Sequence, residues 1–288
     1  MNPTYNAFTG KFMILNGRLT ACNTFNFDIV FAAPSVYEVL RVMQGDPLFL
    51  EDHLARLENS MKYLCKEFSI SRREVAWQIQ QLSEANQIRT GNVKMIVSCP
   101  EASENQADHQ LLICFIPHHY PSAVEYERGI TMQTLELERP NPNAKFVNIG
   151  VTEMVNALKQ KTGVDEVLLV NHEGVITEGS KANIFLVYEN CIFTPARELV
   201  LPGITREKVA EICKSRGITL AENRPGREEL KKISGAFITG TSPKVMPVRQ
   251  IDDFHYSTGL PLISLIRSEY DEMIRNYLEN FDPEKLPA

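Results

Sequence analysis

The chain has no apolar run as long as the roughly 18 residues a membrane helix needs, no internal repeat and no low-complexity stretch. Its Lys and Arg residues are scattered, with no long basic run, and the net charge is −6. A balance of that sign does not suit neutralising a phosphate backbone, so nucleic acid is not an expected partner. The polar segment Met1 to Lys11 lacks the apolar core of a signal peptide. None of the six cysteines (Cys22, Cys65, Cys99, Cys114, Cys191 and Cys213) stands in a CxxC pair, and their spacings are wide and irregular. That is the pattern of free thiols in a reducing cytoplasm. A cytoplasmic protein with no membrane partner is the expectation. His118 and His119 are adjacent but have no Asp or Glu at a recognisable ligand spacing, so no metal is expected. What is present is ordinary for a soluble globular protein: 288 residues, 43% apolar and 23% charged, enough for one large domain or two medium ones.

The hydrophobic pattern predicts a strand over Phe12–Leu15 with Asn16-Gly17 as its turn, and a strand over Val36–Val42 followed by a turn at Gln44-Gly45-Asp46-Pro47. Leu54, Leu57, Met61, Leu64, Cys65 and Phe68 recur at helical spacing. Ser71 and Glu74 read as a capping box that opens a second helix, ending near Thr90-Gly91. Strands follow at Val93–Cys99 and Gln110–Ile116. The Pro117–Ser122 stretch holds two prolines and reads as a linker. Beyond it come a strand (Ile130–Leu137), a Pro/Asn loop (Pro140–Asn143), a helix (Val151–Lys161) and short strands at Glu166–Val170, Val175–Glu178 and Asn183–Val187. A helix opens at Gly203 and a long one runs from Pro261 to Leu278. The expected organisation is an N-terminal α/β domain over 1–117, a linker over 118–127 and a C-terminal domain over 128–288.

Five places carry residues suited to chemistry. Lys145 lies between the Pro/Asn loop and an apolar stretch, where a lysine is held in place and partial burial favours a nucleophilic amine. Glu178 sits at a tight junction of two apolar strands, followed by Gly179-Ser180, where a carboxylate could keep a pyridine nitrogen protonated. Leu201-Pro202-Gly203-Ile204-Thr205-Arg206 places backbone amides and a hydroxyl at a helix start, a seat for an anion. Gly240-Thr241-Ser242 ends an apolar strand with small hydroxyl residues. Arg56, between apolar helix positions, could reach inward to clamp a phosphate. Taken singly, each also reads as something plainer: a solvated lysine, a hairpin glutamate, an ordinary helix start, a turn, a surface arginine.

Their combination and order resemble the class IV pyridoxal-phosphate (PLP) aminotransferases, the fold type IV family of branched-chain aminotransferase, D-amino-acid aminotransferase and 4-amino-4-deoxychorismate lyase. The resemblance runs from about Phe12 to the C-terminal helix. It is most specific in Asp165–Leu169, Glu178-Gly179-Ser180, Asn183-Ile184-Phe185 and Leu201–Arg206, and the 33 positions from Lys145 to Glu178 fit it. It implies a two-domain α/β (α+β) fold with PLP at the domain interface, and a homodimer. It implies that Lys145 forms a Schiff base with the cofactor and shuttles a proton, and that Glu178 pairs with the ring nitrogen. Leu201 would pack on the ring. Arg56, Ile204, Thr205 and Thr241 would hold the phosphate. Tyr37 and Ser242 would line the substrate pocket. The implied activity is amino transfer between a small amino acid and a 2-oxo acid. The alternatives are a pyruvate-releasing aminodeoxychorismate lyase and a PLP-binding relative without turnover.

The chain departs from the family pattern at the substrate end. Ala33-Pro34-Ser35 stands where Gly-Asp-Gly is usual, and Phe146 where Ser or Thr often follows the lysine. Gly150 occupies the position of a branched-chain-type tyrosine, whereas Asn148 is more like the D-amino-acid and lyase branches. No arginine occurs between Arg89 and Arg128 to trap a carboxylate. The Pro100–Asp108 loop is acidic and polar, with His109 beside it.

Overall fold

The computed structural model describes residues 8–25, 33–64, 68–99 and 109–287; Cys65 and the Pro100–Asp108 loop lie outside them. The chain divides into two compact units. The first is Met1–His119 with Ala144–Val147 and Ile274–Ala288; the second is Tyr120–Asn143 and Asn148–Met273. A single cut at 118–127 therefore does not describe the division, because two later segments group with the first unit.

In the first unit, β1 (Phe12–Leu15) and β2 (Arg18–Ala21) form a hairpin whose turn residues, Asn16 and Gly17, both have positive φ. Asn-Gly favours that geometry because it matches the strand twist. The hairpin of β3 (Ser35–Met43) and β4 (Asp46–Pro47) turns on Gln44-Gly45, so Asp46 and Pro47 belong to a strand rather than to the predicted turn. With β5 (Gly91–Ser98) and β6 (Gln110–Ile116) these make an antiparallel sheet of order β2-β1-β6-β5-β3-β4, with Pro47 on an edge strand, where its missing N–H costs little. Alternate residues of β3 (Val36, Leu40 and Val42) are buried in one core with Leu54, Leu57 and Met61 of α1 (Leu50–Lys62) and Val75, Ile79 and Leu82 of α2 (Arg72–Asn86). Helix α1 stops at Lys62; Leu64 and Phe68 still pack on the core from outside it. The Ser71 hydroxyl accepts from the Glu74 amide, as the capping pattern predicts, and α2 ends at left-handed Gln87, short of Thr90-Gly91. The Ala144–Val147 segment joins β3 as a strand-like strip: Phe146 bridges Val36, the Tyr37 amide donates to the Lys145 carbonyl at 2.9 Å and the Val147 amide to the Ser35 carbonyl at 3.0 Å.

In the second unit, α3 (Ala123–Arg128) begins inside the predicted linker, on a complete Ser122–Glu125 capping box. A mixed sheet is built from β7 (Ile130–Glu136), β8 (Glu166–Val170), β9 (Ile176–Gly179), β10 (Asn183–Tyr188), β11 (Cys191–Pro195), β12 (Leu220–Asn223), β13 (Gly235–Gly240), β14 (Lys244–Ile251) and β15 (Phe254–His255). The order is β12-β11-β10-β13-β14-β7-β8-β9, with β15 on β14. The β7–β8, β7–β14 and β11–β12 pairs are parallel. Helix α4 (Ile149–Thr162), capped by the Asn148 side chain, connects β7 to β8; Val155 packs there on Val167 and Leu169. Helix α5 (Ile204–Ser215) and the part of α6 (Pro261–Asn280) up to Met273 complete the unit. No helix among the described residues is long and apolar enough to cross a membrane.

Candidate active site

Lys145 is fixed by its backbone. Besides the pairing with Tyr37, its amide donates to the Ser60 hydroxyl of α1 at 3.2 Å. Its Nζ lies 5.0 Å from the centroid of the Tyr37 ring, and the Nζ of Lys94 lies 4.8 Å from the same centroid. The structure therefore brings together Lys145 and the tyrosine to which only the family resemblance gave a role.

Arg56 points inward, as its place between apolar positions suggested, but what it meets there was not anticipated. Glu38, fully buried on β3, accepts from Arg56 Nε and Nη2, both at 2.7 Å, and its Oε2 also lies 2.8 Å from His53 Nδ1. Burial by itself pushes the Glu38 carboxyl up. The Arg56 charge and the hydrogen bonds from Arg56 and His53 outweigh it, and the group ends below the ordinary carboxylate range. His53 is moved down, first by burial, then by the charges of Arg56 and Lys145, against the pull of Glu38. An ionised carboxylate only accepts, so a neutral His53 carries its proton on Nδ1. The signal for this cluster was in the sequence: Glu38 shares the period-two register of Val36, Leu40 and Val42, an acidic residue on a core face.

In the second unit Glu178 is 3% exposed on β9. Its Oε2 accepts from the Leu201 amide at 3.1 Å and its Oε1 from Arg139 Nη1 at 2.9 Å. Two residues singled out from sequence, Glu178 and Leu201, are thus in contact, and Arg139 is an addition that local sequence gave no reason to pick. The Leu201–Arg206 segment turns sharply into α5. Gly203 is the N-cap, with no side chain capping the helix, and a Cβ there would stand 1.9 Å from Asn183 Oδ1. Only glycine permits that approach. The Asn183 side-chain amide donates to the Leu201 carbonyl at 2.9 Å, fixing the turn. The first amides of α5, from Ile204 onward, are the donors that an anion satisfies. The buried Thr205 hydroxyl lies 3.3 Å from the Tyr270 hydroxyl. Thr241 and Ser242, half-buried, form the turn between β13 and β14. Beside it the buried Thr239 hydroxyl, across the ladder from Asn183, has no hydrogen-bond partner among the described residues.

A buried carboxylate beside an uncapped helix start, small hydroxyl residues and an orphaned hydroxyl form a donor set that fits a phosphorylated pyridine. Among the described residues no group of His, Cys, Asp or Glu side chains is placed to hold a metal ion.

The family model of amino-transferase class IV matches residues 35–251. The D-alanine aminotransferase of Bacillus licheniformis is 29% identical over 260 residues, spanning 86% of this chain and 91% of that protein. The aminodeoxychorismate lyase of Bacillus subtilis is 25% identical over 256 residues, spanning 84% and 86%. The fold is that of the branched-chain aminotransferase of the thermophilic archaeon Thermoproteus uzoniensis solved with norvaline, at a TM-score of 0.80 and 25% identity over 93% of this chain and 95% of that one.

Proposed function

Because the chain belongs to the class IV aminotransferases, we propose that it binds pyridoxal 5'-phosphate and transfers an amino group between a small amino acid and a 2-oxo acid. The observation that carries this reading is the buried Glu178 carboxylate, held by the Leu201 amide and Arg139 in the same unit as the uncapped start of α5. When bound, pyridoxal phosphate supplies an aldehyde for amine capture and a protonated ring that withdraws electrons. Lys145 holds the cofactor through Nζ and afterwards carries the proton taken from the substrate Cα. Glu178 would accept a hydrogen bond from the protonated ring nitrogen. The Ile204 and Thr205 amides, the Thr205 and Thr241 hydroxyls and Arg56 hold the phosphate. Leu201 would pack on the ring, and Tyr37 and Ser242 would line the substrate pocket.

The test is direct. Protein reconstituted with pyridoxal phosphate is treated with borohydride and digested; mass spectrometry finds the cofactor fixed on Lys145. Lys145→Ala loses both the label and the visible absorption of bound cofactor. Unaltered absorption and turnover in that variant would sink the proposal. Single L- and D-amino acids added to the loaded enzyme then identify the donor and its handedness through the spectral half-reaction.

A second reading is favoured by the Bacillus subtilis relative: pyruvate release from aminodeoxychorismate on the same lysine. Pyruvate formed without any amino acceptor decides for it. We further place the enzyme in the cytoplasm as a homodimer. The free cysteines among the described residues support a reducing compartment, and a monomer mass on gel filtration counts against the dimer.

A further inference from the structure

The second unit holds an ion pair that the proposed chemistry leaves without a task. We propose that Arg139 is the positioning residue that fixes both the aim and the charge of Glu178 toward the cofactor's ring nitrogen, an inference that rests on the function proposed above. Arg139 Nη1 donates to Glu178 Oε1 at 2.9 Å, and the two side chains are 19% and 4% exposed. The Leu201 amide takes Oε2. With one donor on each oxygen, the carboxylate plane is set from two sides.

The loop that carries Arg139 is itself anchored. Pro140 and Pro142 restrict its backbone, and the Asn143 side-chain amide donates to the carbonyls of Arg197 at 2.9 Å and Val200 at 2.8 Å. Asn143 thus ties the Arg139 loop to the stretch of chain that delivers the Leu201 amide. Both donors to Glu178 are held in one frame.

The chemistry follows from what a guanidinium is. It stays protonated in proteins, so it cannot take a proton from its partner. At hydrogen-bonding distance it favours the charged form of a carboxylate, whereas burial without a cation favours the neutral acid. A single proton is shared between a buried carboxylate and a ring nitrogen. With Arg139 in place it stays on the nitrogen. Without Arg139 it moves to a Glu178 oxygen, and the ring loses the positive charge that makes it withdraw electrons. No other atom changes hands.

The experiment uses holoenzyme loaded with pyridoxal phosphate carrying ¹⁵N at the ring nitrogen. Wild type is expected to give the signal of a protonated nitrogen. Arg139→Gln shifts it toward the unprotonated position, in the direction taken by Glu178→Gln. The same variant loses about 10- to 100-fold in kcat, the range for removing a hydrogen bond to a charged group, with the amino-acid KM within about threefold. Arg139→Lys, which keeps the charge, restores the protonated signal and most of kcat. A folded Arg139→Gln holoenzyme with the wild-type ¹⁵N signal would overturn the inference and leave Arg139 a structural arginine. If Arg139→Gln does not fold, Arg139→Lys decides, since an unprotonated signal there rules out charge as the determinant. A wild type that takes up no cofactor defeats the proposed function instead, so the two failures are told apart.

Discussion

Each unit buries a glutamate against an arginine, and the two pairs are built differently. Glu38 is sealed: Arg56 grips both its oxygens and His53 adds a third contact, all three side chains lying in or against the core of α1, α2 and the first sheet. Glu178 meets its arginine at a single nitrogen: Arg139 Nη1 donates to one oxygen and a backbone amide, that of Leu201, to the other. A bidentate pair with an added imidazole fixes geometry and is costly to break. A single-point pair holds a charge in place while leaving its partner a smaller share of the stability. The first arrangement suits an arginine that must be held in one place, the second a carboxylate that itself meets a ligand.

That contrast can be broken experimentally. Glu38→Gln strands the buried Arg56 charge and is expected to cost about 3–5 kcal/mol of folding stability, read by urea denaturation. A loss below about 1 kcal/mol would erase the distinction between the pairs. Glu178→Gln should act the other way round. Stability changes by no more than about 2 kcal/mol while kcat falls about 100-fold or more, from denaturation and steady-state kinetics on one preparation. The third test sharpens the first pair through pH. His53 is held below its ordinary range in the fold. As pH falls from 7 to 5 the unfolded chain takes up a proton at this residue, near its free value of about 6.5, before the folded one does. Stability must therefore drop with falling pH, by at most about 1.4 kcal/mol per unit from this group. Glu38, also lowered, has a contribution that is present above the unfolded value of about 4.3 and is lost only at lower pH. His53→Gln should flatten the slope between pH 7 and 5; an unchanged slope means His53 is not the group responsible. The smallest effect belongs to the exposed Arg224–Glu173 pair, 3.4 Å apart. Arg224→Ala should alter stability by less than about 0.5 kcal/mol, so a larger change would mean that surface pairs here are not the weak control they are taken to be.

What the sequence displayed was mostly local. The positive-φ Asn16-Gly17 turn, the Ser71 cap, strands Gln110–Ile116 and Glu166–Val170 and the helix opening at Pro261 all follow from residues within a few positions of one another. Gly203 read as a helix start, but not as the one residue that lets Asn183 approach. Strands β11 and β12 passed unnoticed. They are short, and the parallel pairing that makes Leu220–Asn223 a strand comes from Ile192–Pro195, across an intervening helix. The site divides the same way. Lys145, Glu178, Leu201 and Thr205 stood out through an ordered pattern. Glu38 was legible only as an acidic residue on a core face; its pairings with His53 and Arg56, and that of Arg139 with Glu178, span 15, 18 and 39 residues, which no local window contains. The Ala144–Val147 strip is the extreme case: it reads as the flank of a reactive lysine, and its partner is a strand more than a hundred residues earlier.

That strip ties fidelity of folding to activity. Lys145 hangs from a backbone pinned to Ser35, Tyr37 and Ser60, so its amine swings on a fixed pivot. A one-residue slip of the strip along β3 would turn every side chain to the opposite side, carrying the amine away from Tyr37 while leaving most of the core intact. Such a molecule would be compact, plausible by circular dichroism, and dead. The fraction of a preparation that borohydride can lock onto Lys145 is therefore also a census of chains whose register is correct.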